Sequence, residues 1–146
     1  MARAGARGAL DAASRVPLRL NLSKNALQIE DVQALAASVP ASLLASVSLG
    51  GNTDLALMTS SEWGALFSGG VAKLDVRSCG LRDGGVRALV PVLTVCKKLV
   101  TVNVRCNGMT IDGLRDMMIC TRYTHVVKVL ASALVHGSVR GCVVVR

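Results

Sequence analysis

The chain has 146 residues and a net charge of +8, and 51% of its residues are hydrophobic although only 2% are aromatic. This length fits one domain, and a core of small aliphatic side chains fits thin, repeated layers better than a globular core filled by rings. Five cysteines without a C-x-x-C pair argue against a disulfide framework or a zinc site and favour a reducing compartment, the cytoplasm ahead of the mitochondrion.

Residues 1–15 form the first predicted element. They are rich in Ala and Arg and contain a single acid, Asp11. This composition fits a solvent-facing N-terminal helix or cap, and it also fits an organelle transit peptide. We favour the helix, because the first repeat described below needs an element to pack against it.

Residues 16–120 repeat one pattern of aliphatic residues four times. Each copy ends in an anchor residue followed by a further apolar position, and the anchors are Asn25, Asn52, Cys79 and Asn107. The alternation of aliphatic and polar residues before each anchor predicts a short strand. The spacing of apolar residues after the anchors predicts helices over residues 28–39, 60–67, 83–96 and 112–120. Pro91 is expected to kink the third helix or to end its regular part.

These four copies resemble the leucine-rich repeat, L-x-x-L-x-L-x-x-N/C-x-L, in its ribonuclease-inhibitor-like form with a helix in each repeat. The resemblance implies an α/β fold, a short solenoid with parallel strands on the concave face and helices on the convex face. It also implies that the anchors form a structural ladder, in which their side chains bond backbone groups stranded at the turn after each strand. Gly80 and Gly108 would relieve that turn.

The polar residues of the strands define the candidate partner-binding surface, the concave face. Many acids lie at or near the starts of the predicted helices, so this face has five cations against one acid, Asp75. A plainer interpretation is that these charges only keep an open sheet soluble. The face has three rows: Arg19, Ser46, Lys73 and Thr101; Asn21, Ser48, Asp75 and Asn103; and Ser23, Gly50, Arg77 and Arg105, with Lys24 just beyond.

Residues 121–146 lose the repeat pattern. Their eight valines favour strands over a loop, so the segment is predicted to be a degenerate C-terminal repeat or a cap. The alternative is a docking surface, because apolar strands make adhesive edges when they are left open. Lys128, His136 and Arg140 interrupt this apolar stretch, and no run in the chain predicts a membrane span.

The sequence shows no catalytic constellation. His125 and His136 stand alone, Cys106 has no evident base beside it, and neither a phosphate-binding loop nor a metal-ligand spacing occurs. We therefore expect no enzymatic activity, no catalytic residue, no metal, no cofactor and no small-molecule substrate.

The leading hypothesis is a non-enzymatic protein–protein interaction module, a scaffold or complex subunit whose basic concave sheet binds an acidic protein. The alternative is a structural subunit of a ribonucleoprotein, such as an organelle ribosome, but the chain has few rings to stack on bases. An enzyme regulator is the third hypothesis, suggested by the ribonuclease inhibitors. Those inhibitors oppose basic enzymes, so the basic charge of this chain argues against that role.

Overall fold

The computed structural model describes residues 16–40, 43–67, 70–122, 124, 128–135 and 138–145. The predicted N-terminal helix or transit segment, residues 1–15, lies outside them. The strands are β1 (Leu18–Asn21), β2 (Leu44–Ser48), β3 (Lys73–Asp75), β4 (Thr101–Asn103), β5 (Lys128–Val135) and β6 (Ser138–Val145). The helices are α1 (Ile29–Ser38), α2 (Ser60–Phe67), α3 (Arg82–Val95) and α4 (Ile111–Thr121), with a short 3-10 helix at Thr53–Leu57.

The strands form one sheet in the order of the chain. Strands β1 to β5 are parallel neighbours, and β6 returns antiparallel to β5. The helices stack beside them in the same order, α1 on α2, α2 on α3 and α3 on α4. The fold is therefore the short α/β solenoid that the repeat predicted.

The core lies between the sheet and the helices. Val47, Leu74, Val102 and Val129 pair across neighbouring strands, and each is almost completely buried. The chain's single tryptophan, Trp63, is buried in α2 and stacks on Phe67 with ring centroids 6.2 Å apart. Elsewhere the layers are filled by aliphatic residues and methionines, as the low aromatic content indicated.

The four predicted helices are confirmed within one residue at each end. A capping box precedes α2: the Thr59 N–H donates to Glu62 Oε2 at 2.7 Å, and the Glu62 N–H donates to Thr59 Oγ1 at 3.4 Å. These bonds satisfy backbone donors at the start of the helix, which explains why the local sequence predicts its boundary well.

Of the two expectations for Pro91, an end to the regular part of α3 is wrong, because the helix continues to Val95, and a kink stays a prediction. A proline inside a helix removes the hydrogen bond to the carbonyl four residues earlier, here that of Arg87. Both residues are exposed, so water can satisfy that carbonyl. Packing of α3 between α2 and α4 holds the rest of the helix.

Strands β5 and β6 form a hairpin at the C-terminal end of the sheet. The Val104 N–H donates to the Leu130 carbonyl at 2.8 Å, and Val129 and Ala131 of β5 are buried. The hairpin therefore covers the apolar layer of β4 with a strand, while no further helix follows α4 within the described ranges. None of the described helices is both long and apolar enough to cross a membrane.

Candidate functional site

The register of the strands reproduces the two predicted rows that lie within them. Arg19 pairs with Ser46, Ser46 with Lys73, and Lys73 with Thr101. The second row runs in the same way through Asn21, Ser48, Asp75 and Asn103. The third row follows at the turns, where the Lys24 N–H donates to the Gly50 carbonyl and the Gly51 N–H to the Arg77 carbonyl.

Exposure differs between the rows of the concave face. Its first row is the most open, with Arg19 and Lys73 exposed and Ser46 and Thr101 partly buried. In the third row Arg77 is exposed and Arg105 is partly buried, and Lys24 beyond it is exposed. Ser23 and Ser48 share a hydrogen bond of 2.7 Å across β1 and β2. A partner would therefore meet the first row and the third row before the second.

The second row also has a structural task. In three repeats its side-chain oxygen accepts the N–H of the residue two positions later: Asn21 from Ser23, Asp75 from Arg77 and Asn103 from Arg105, at 3.0–3.3 Å. This local bond is an Asx turn, which Asn and Asp form readily. The turn accounts for the acid at position 75 in an otherwise basic face.

Asn103 was predicted to be accessible on the concave face, and its position there is correct but its accessibility is not. It is 6% exposed, and Arg105 Nε donates to its Oδ1 at 3.2 Å. Strand β5 lies directly beside it, since Asn103 pairs with Leu130. Asn103 therefore holds Arg105 in place and offers little surface to a partner.

Two residues of the face were not identified from the sequence. Lys128 pairs with Thr101, so it extends the first row by one strand, and it is exposed. Ser132 of β5 is 7% exposed, and its Oγ accepts the Cys106 N–H at 2.8 Å. Neither residue belongs to a repeat that has an anchor, so the aligned copies do not identify it. In the sequence, the alternation of side chains in the valine-rich tail was the one indication of a further strand.

The charge of the concave face is strongly one-sided. Asp75 is its sole acid among the described residues, and Arg77 Nε lies 3.5 Å from the Asp75 Oδ2 atom. The other described acids belong to the helices and to the connections that lead into them. The cations of the face are Arg19, Lys24, Lys73, Arg77, Arg105 and Lys128.

The anchors Asn52 and Asn107 form a ladder of the predicted kind. Asn107 Oδ1 accepts the N–H groups of Cys79 and Leu81 at 2.9 and 3.3 Å, and its Nδ2 donates to the Val76 and Val104 carbonyls at 2.9 Å. Asn52 does the same two repeats earlier: it accepts from the backbone of residues 25 and 27 and donates to that of residues 22 and 49. Each amide thus ties its own turn to the turn of the preceding repeat.

The anchors Cys79 and Asn25 differ from the two internal asparagines. Cys79 is buried, and its Sγ contacts the Leu49 carbonyl at 3.4 Å, a weaker form of the same link. The side chain of Asn25 is exposed. Asn25 belongs to the first repeat, and the described residues contain no earlier turn to which its amide could bond.

The turns force an unusual backbone on the residue before each anchor. Lys24, Gly51, Ser78 and Cys106 all have φ between 56° and 78°, the left-handed region. Gly80 and Gly108, after their anchors, have φ of 69° and 68°, as the sequence predicted. Side chains tolerate this conformation poorly, so each turn is shaped by the stacking of the repeats as well as by its own sequence.

The described residues contain no group of acids, histidines and cysteines that could hold a metal ion. Burial raises the pKa of the thiols of Cys79, Cys96 and Cys120, which keeps them protonated and weakly nucleophilic. Cys106 is exposed, but the only side chain that bonds its backbone N–H is the hydroxyl of Ser132. The geometry is suited to binding at a surface.

Two similarities to known proteins agree with this geometry. A sequence model of the family described as "Leucine Rich repeat" matches residues 72–90, which comprise β3 and the first part of α3. Leucine-rich repeat-containing protein 14 of Xenopus laevis is 34% identical over 90 residues, which cover 60% of this chain and 18% of that relative. No solved structure gave a significant match.

The chain thus spans less than a fifth of the curated relative that it matches. Repeat proteins of this architecture offer extended concave surfaces to other proteins. The matched repeat, the aligned relative, the parallel sheet with alternating helices and the asparagine ladder together show that the chain contains leucine-rich repeats.

Proposed function

We propose that the chain is a non-enzymatic interaction module whose concave sheet binds an acidic segment of a partner protein. The observation that carries this proposal is the charge of the concave face. Six cations from the first, third and fourth repeats and from strand β5 lie on this face, and only Asp75 opposes them among the described residues. Since opposite charge attracts and orients partners, an acidic surface is the best complement.

The dimensions of the first row fit a peptide segment. Five parallel strands at a spacing of about 4.8 Å place Arg19 and Lys128 about 19 Å apart, the length of an extended segment of about six residues. The face is preformed by the stacked repeats, so a partner does not have to order it. Charge and shape together favour a short, extended, acidic region as the bound segment.

A protein partner is favoured over RNA by the positions of the rings. Trp63 is fully buried and Phe67 is 4% exposed, so neither can stack on a base. In the part of the chain that the structure describes, the ribonucleoprotein alternative would therefore have phosphate contacts and no aromatic ring to stack on a base. The cysteines at positions 79, 96, 106 and 120 are unpaired, which supports placing the module in a reducing compartment.

Charge reversal of matched lysine pairs tests the proposal. The row variant carries Lys73→Glu and Lys128→Glu, and the control variant carries Lys97→Glu and Lys98→Glu in the exposed turn after α3. Both change the net charge equally. Fluorescence anisotropy would measure the binding of an oligo-glutamate peptide and of an oligouridylate of equal length to each protein.

We expect the row variant to bind the peptide at least about tenfold more weakly, and the control within about twofold of the unmodified chain. Equal losses in both variants would show that only net charge matters and would refute a binding role for the sheet. Tighter binding of the RNA, with a steep and log-linear loss as salt rises, would favour the ribonucleoprotein alternative.

A further inference from the structure

We infer that the side of α4 turned away from α3 is a docking site for an amphipathic helix of a partner protein, one that carries an aspartate or glutamate. This surface lies on the helical side of the molecule, so it is separate from the concave face. We call it the α4 flank, and it consists of Ile111, Leu114, Arg115, Met118, Ile119 and Arg122.

The earlier helices show how such a flank is used inside the chain. Gln33 of α1 donates from Nε2 to Glu62 Oε1 of α2 at 3.0 Å, and Arg87 of α3 donates from Nε to Asp116 Oδ2 of α4 at 2.8 Å. Both donors lie eight residues after the anchor of their repeat. In the first and third repeats, a donor at this position thus reaches forward to a carboxylate on the next helix.

Arg115 occupies the same position in the fourth repeat, eight residues after Asn107. No helix follows α4 in the described part of the chain, and the guanidinium instead pairs with Asp112 of its own helix at 3.3 Å. The two side chains are 65% and 68% exposed. Because an exposed ion pair of this kind contributes little, a carboxylate from a docked helix could replace Asp112 at small cost.

The apolar residues of the α4 flank are exposed to solvent, whereas the equivalent part of α3 is buried. Val86 of α3 is fully buried, whereas Leu114, the equivalent residue of α4, is only partly buried. Ile111, Met118 and Ile119 are 48%, 42% and 50% exposed. Ile111, Leu114 and Met118 lie three and four positions apart along α4, the spacing of a stripe that accepts another helix.

The charge of the α4 flank indicates which kind of helix could bind there. Arg115 and Arg122 border the apolar stripe, so the occupant should be acidic. Residues 1–15 contain three arginines and only one acid, which makes this segment of the chain a poor match. The helix α1 of a second copy is also a poor match, because the places of Asp116 and Glu62 are taken there by Ala34 and Leu35.

A peptide of residues 110–122 with Cys120→Ser is a suitable probe, because α4 itself docks on a flank of this type through Asp116. A hydrocarbon crosslink between positions 114 and 118 would keep it helical. The crosslink lies on the side away from α3, so the docking side stays free. A second peptide carries Asp116→Lys in addition, and anisotropy would measure the binding of both to the full chain and to its Arg115→Glu, Met118→Lys and Lys97→Glu variants.

We expect the peptide that retains Asp116 to bind the full chain at least about tenfold more tightly than the Asp116→Lys peptide does, since a desolvated charge pair is worth that factor or more. Arg115→Glu should reverse this preference, and Met118→Lys should weaken both peptides. Lys97→Glu, which makes the same kind of charge change elsewhere, should leave binding within about twofold. If the Arg115→Glu variant fails to fold, the binding of the two peptides to the unmodified chain still tests the inference.

Several results would overturn the inference. Equal binding of the two peptides, or no binding of the peptide that retains Asp116, would remove the basis for a helix that docks through a carboxylate. Self-association that Met118→Lys abolishes in sedimentation experiments would assign the flank to a second copy. Tighter binding of a peptide of residues 1–15 would assign it to the chain's own N-terminal segment.

Discussion

At the scale of single residues, the anchors decide how one repeat is joined to the next. Asn52 and Asn107 are 0% and 1% exposed, and each amide serves backbone groups of two turns. Both the donor and the acceptor of the side chain are used, which no aliphatic residue could do. Cys79 fills the same place with one weak contact to the preceding turn, from Sγ to the Leu49 carbonyl, so the joint between the second and third repeats depends more on packing.

Replacing Asn107 with Ala should lower the free energy of unfolding by about 1–3 kcal/mol, because the N–H groups of Cys79 and Leu81 would be left buried and unpaired. Asn52→Ala should behave alike. Asn25→Ala is the matched control and should stay within about 0.5 kcal/mol of the original chain, since its side chain is exposed. Urea unfolding measures all three, and equal stability of the Asn107 and Asn25 variants would contradict the ladder.

At the scale of elements, Asp83 fastens the start of α4 to the start of α3. Its Oδ1 accepts the Thr110 N–H at 2.8 Å and its Oδ2 accepts the Thr110 hydroxyl at 2.6 Å. Gly113 leaves room for this carboxylate, since a Cβ there would collide with it. Partial burial opposes ionisation, but the bonds from Thr110 and the charge of Arg87 outweigh it and hold the pKa of the carboxyl below its usual 3.8.

A carboxyl whose pKa is depressed by folding stabilises the protein above its unfolded pKa, and the contribution is lost as the pH falls through the folded value. Asp83→Asn should therefore lower the free energy of unfolding at pH 7 by about 0.5–1 kcal/mol, a modest amount because solvent reaches the site. The difference from the original chain should shrink below about pH 3.8. Thermal unfolding at pH 7 and pH 3 measures this, and an equal loss at both values would show that ionisation of Asp83 is unimportant.

The elements that were predictable from sequence are those with a local signal. The helices follow from the spacing of their apolar residues, and the capping box of Thr59 and Glu62 marks its helix directly. The apolar spacing predicted the extent of α3 through Pro91, but the proline on its own predicted an earlier end, because the local sequence does not reveal the packing against two neighbouring helices. The contacts of Asn103 and the position of Lys128 in the first row both depend on strand β5. No repeat anchor in the sequence marks the register of this strand, so these features were not predictable.

At the scale of the whole molecule, the solenoid is held by contacts between neighbouring layers, so its ends matter more than in a globular domain. The hairpin of β5 and β6 covers the C-terminal end of the sheet. It buries Val102 and Val104 and accepts the Val104 N–H through the Leu130 carbonyl. The prediction that the tail is a cap rather than a docking surface rests on this cover.

Deleting residues 125–146 should cause aggregation or a large drop in melting temperature, because it uncovers the apolar layer of the fourth repeat. With only four repeats, close to the minimum of about three that such arrays need, little stability is in reserve. Size-exclusion chromatography and thermal melts of both chains measure the effect. A truncated chain that remains folded and monomeric would mean that the tail is not needed as a cap and would favour the docking alternative.

The central claim is that the basic concave sheet is the surface by which the chain binds an acidic protein partner. The most direct measurement is quantitative mass spectrometry of proteins that copurify, after nuclease treatment, with the original chain, with the Lys73→Glu, Lys128→Glu variant and with the Lys97→Glu, Lys98→Glu control. We predict a group of acidic proteins that the row variant loses and the control retains, because reversal in the first row replaces attraction by repulsion. The same proteins on all three baits, or none that survive nuclease treatment, would contradict the claim.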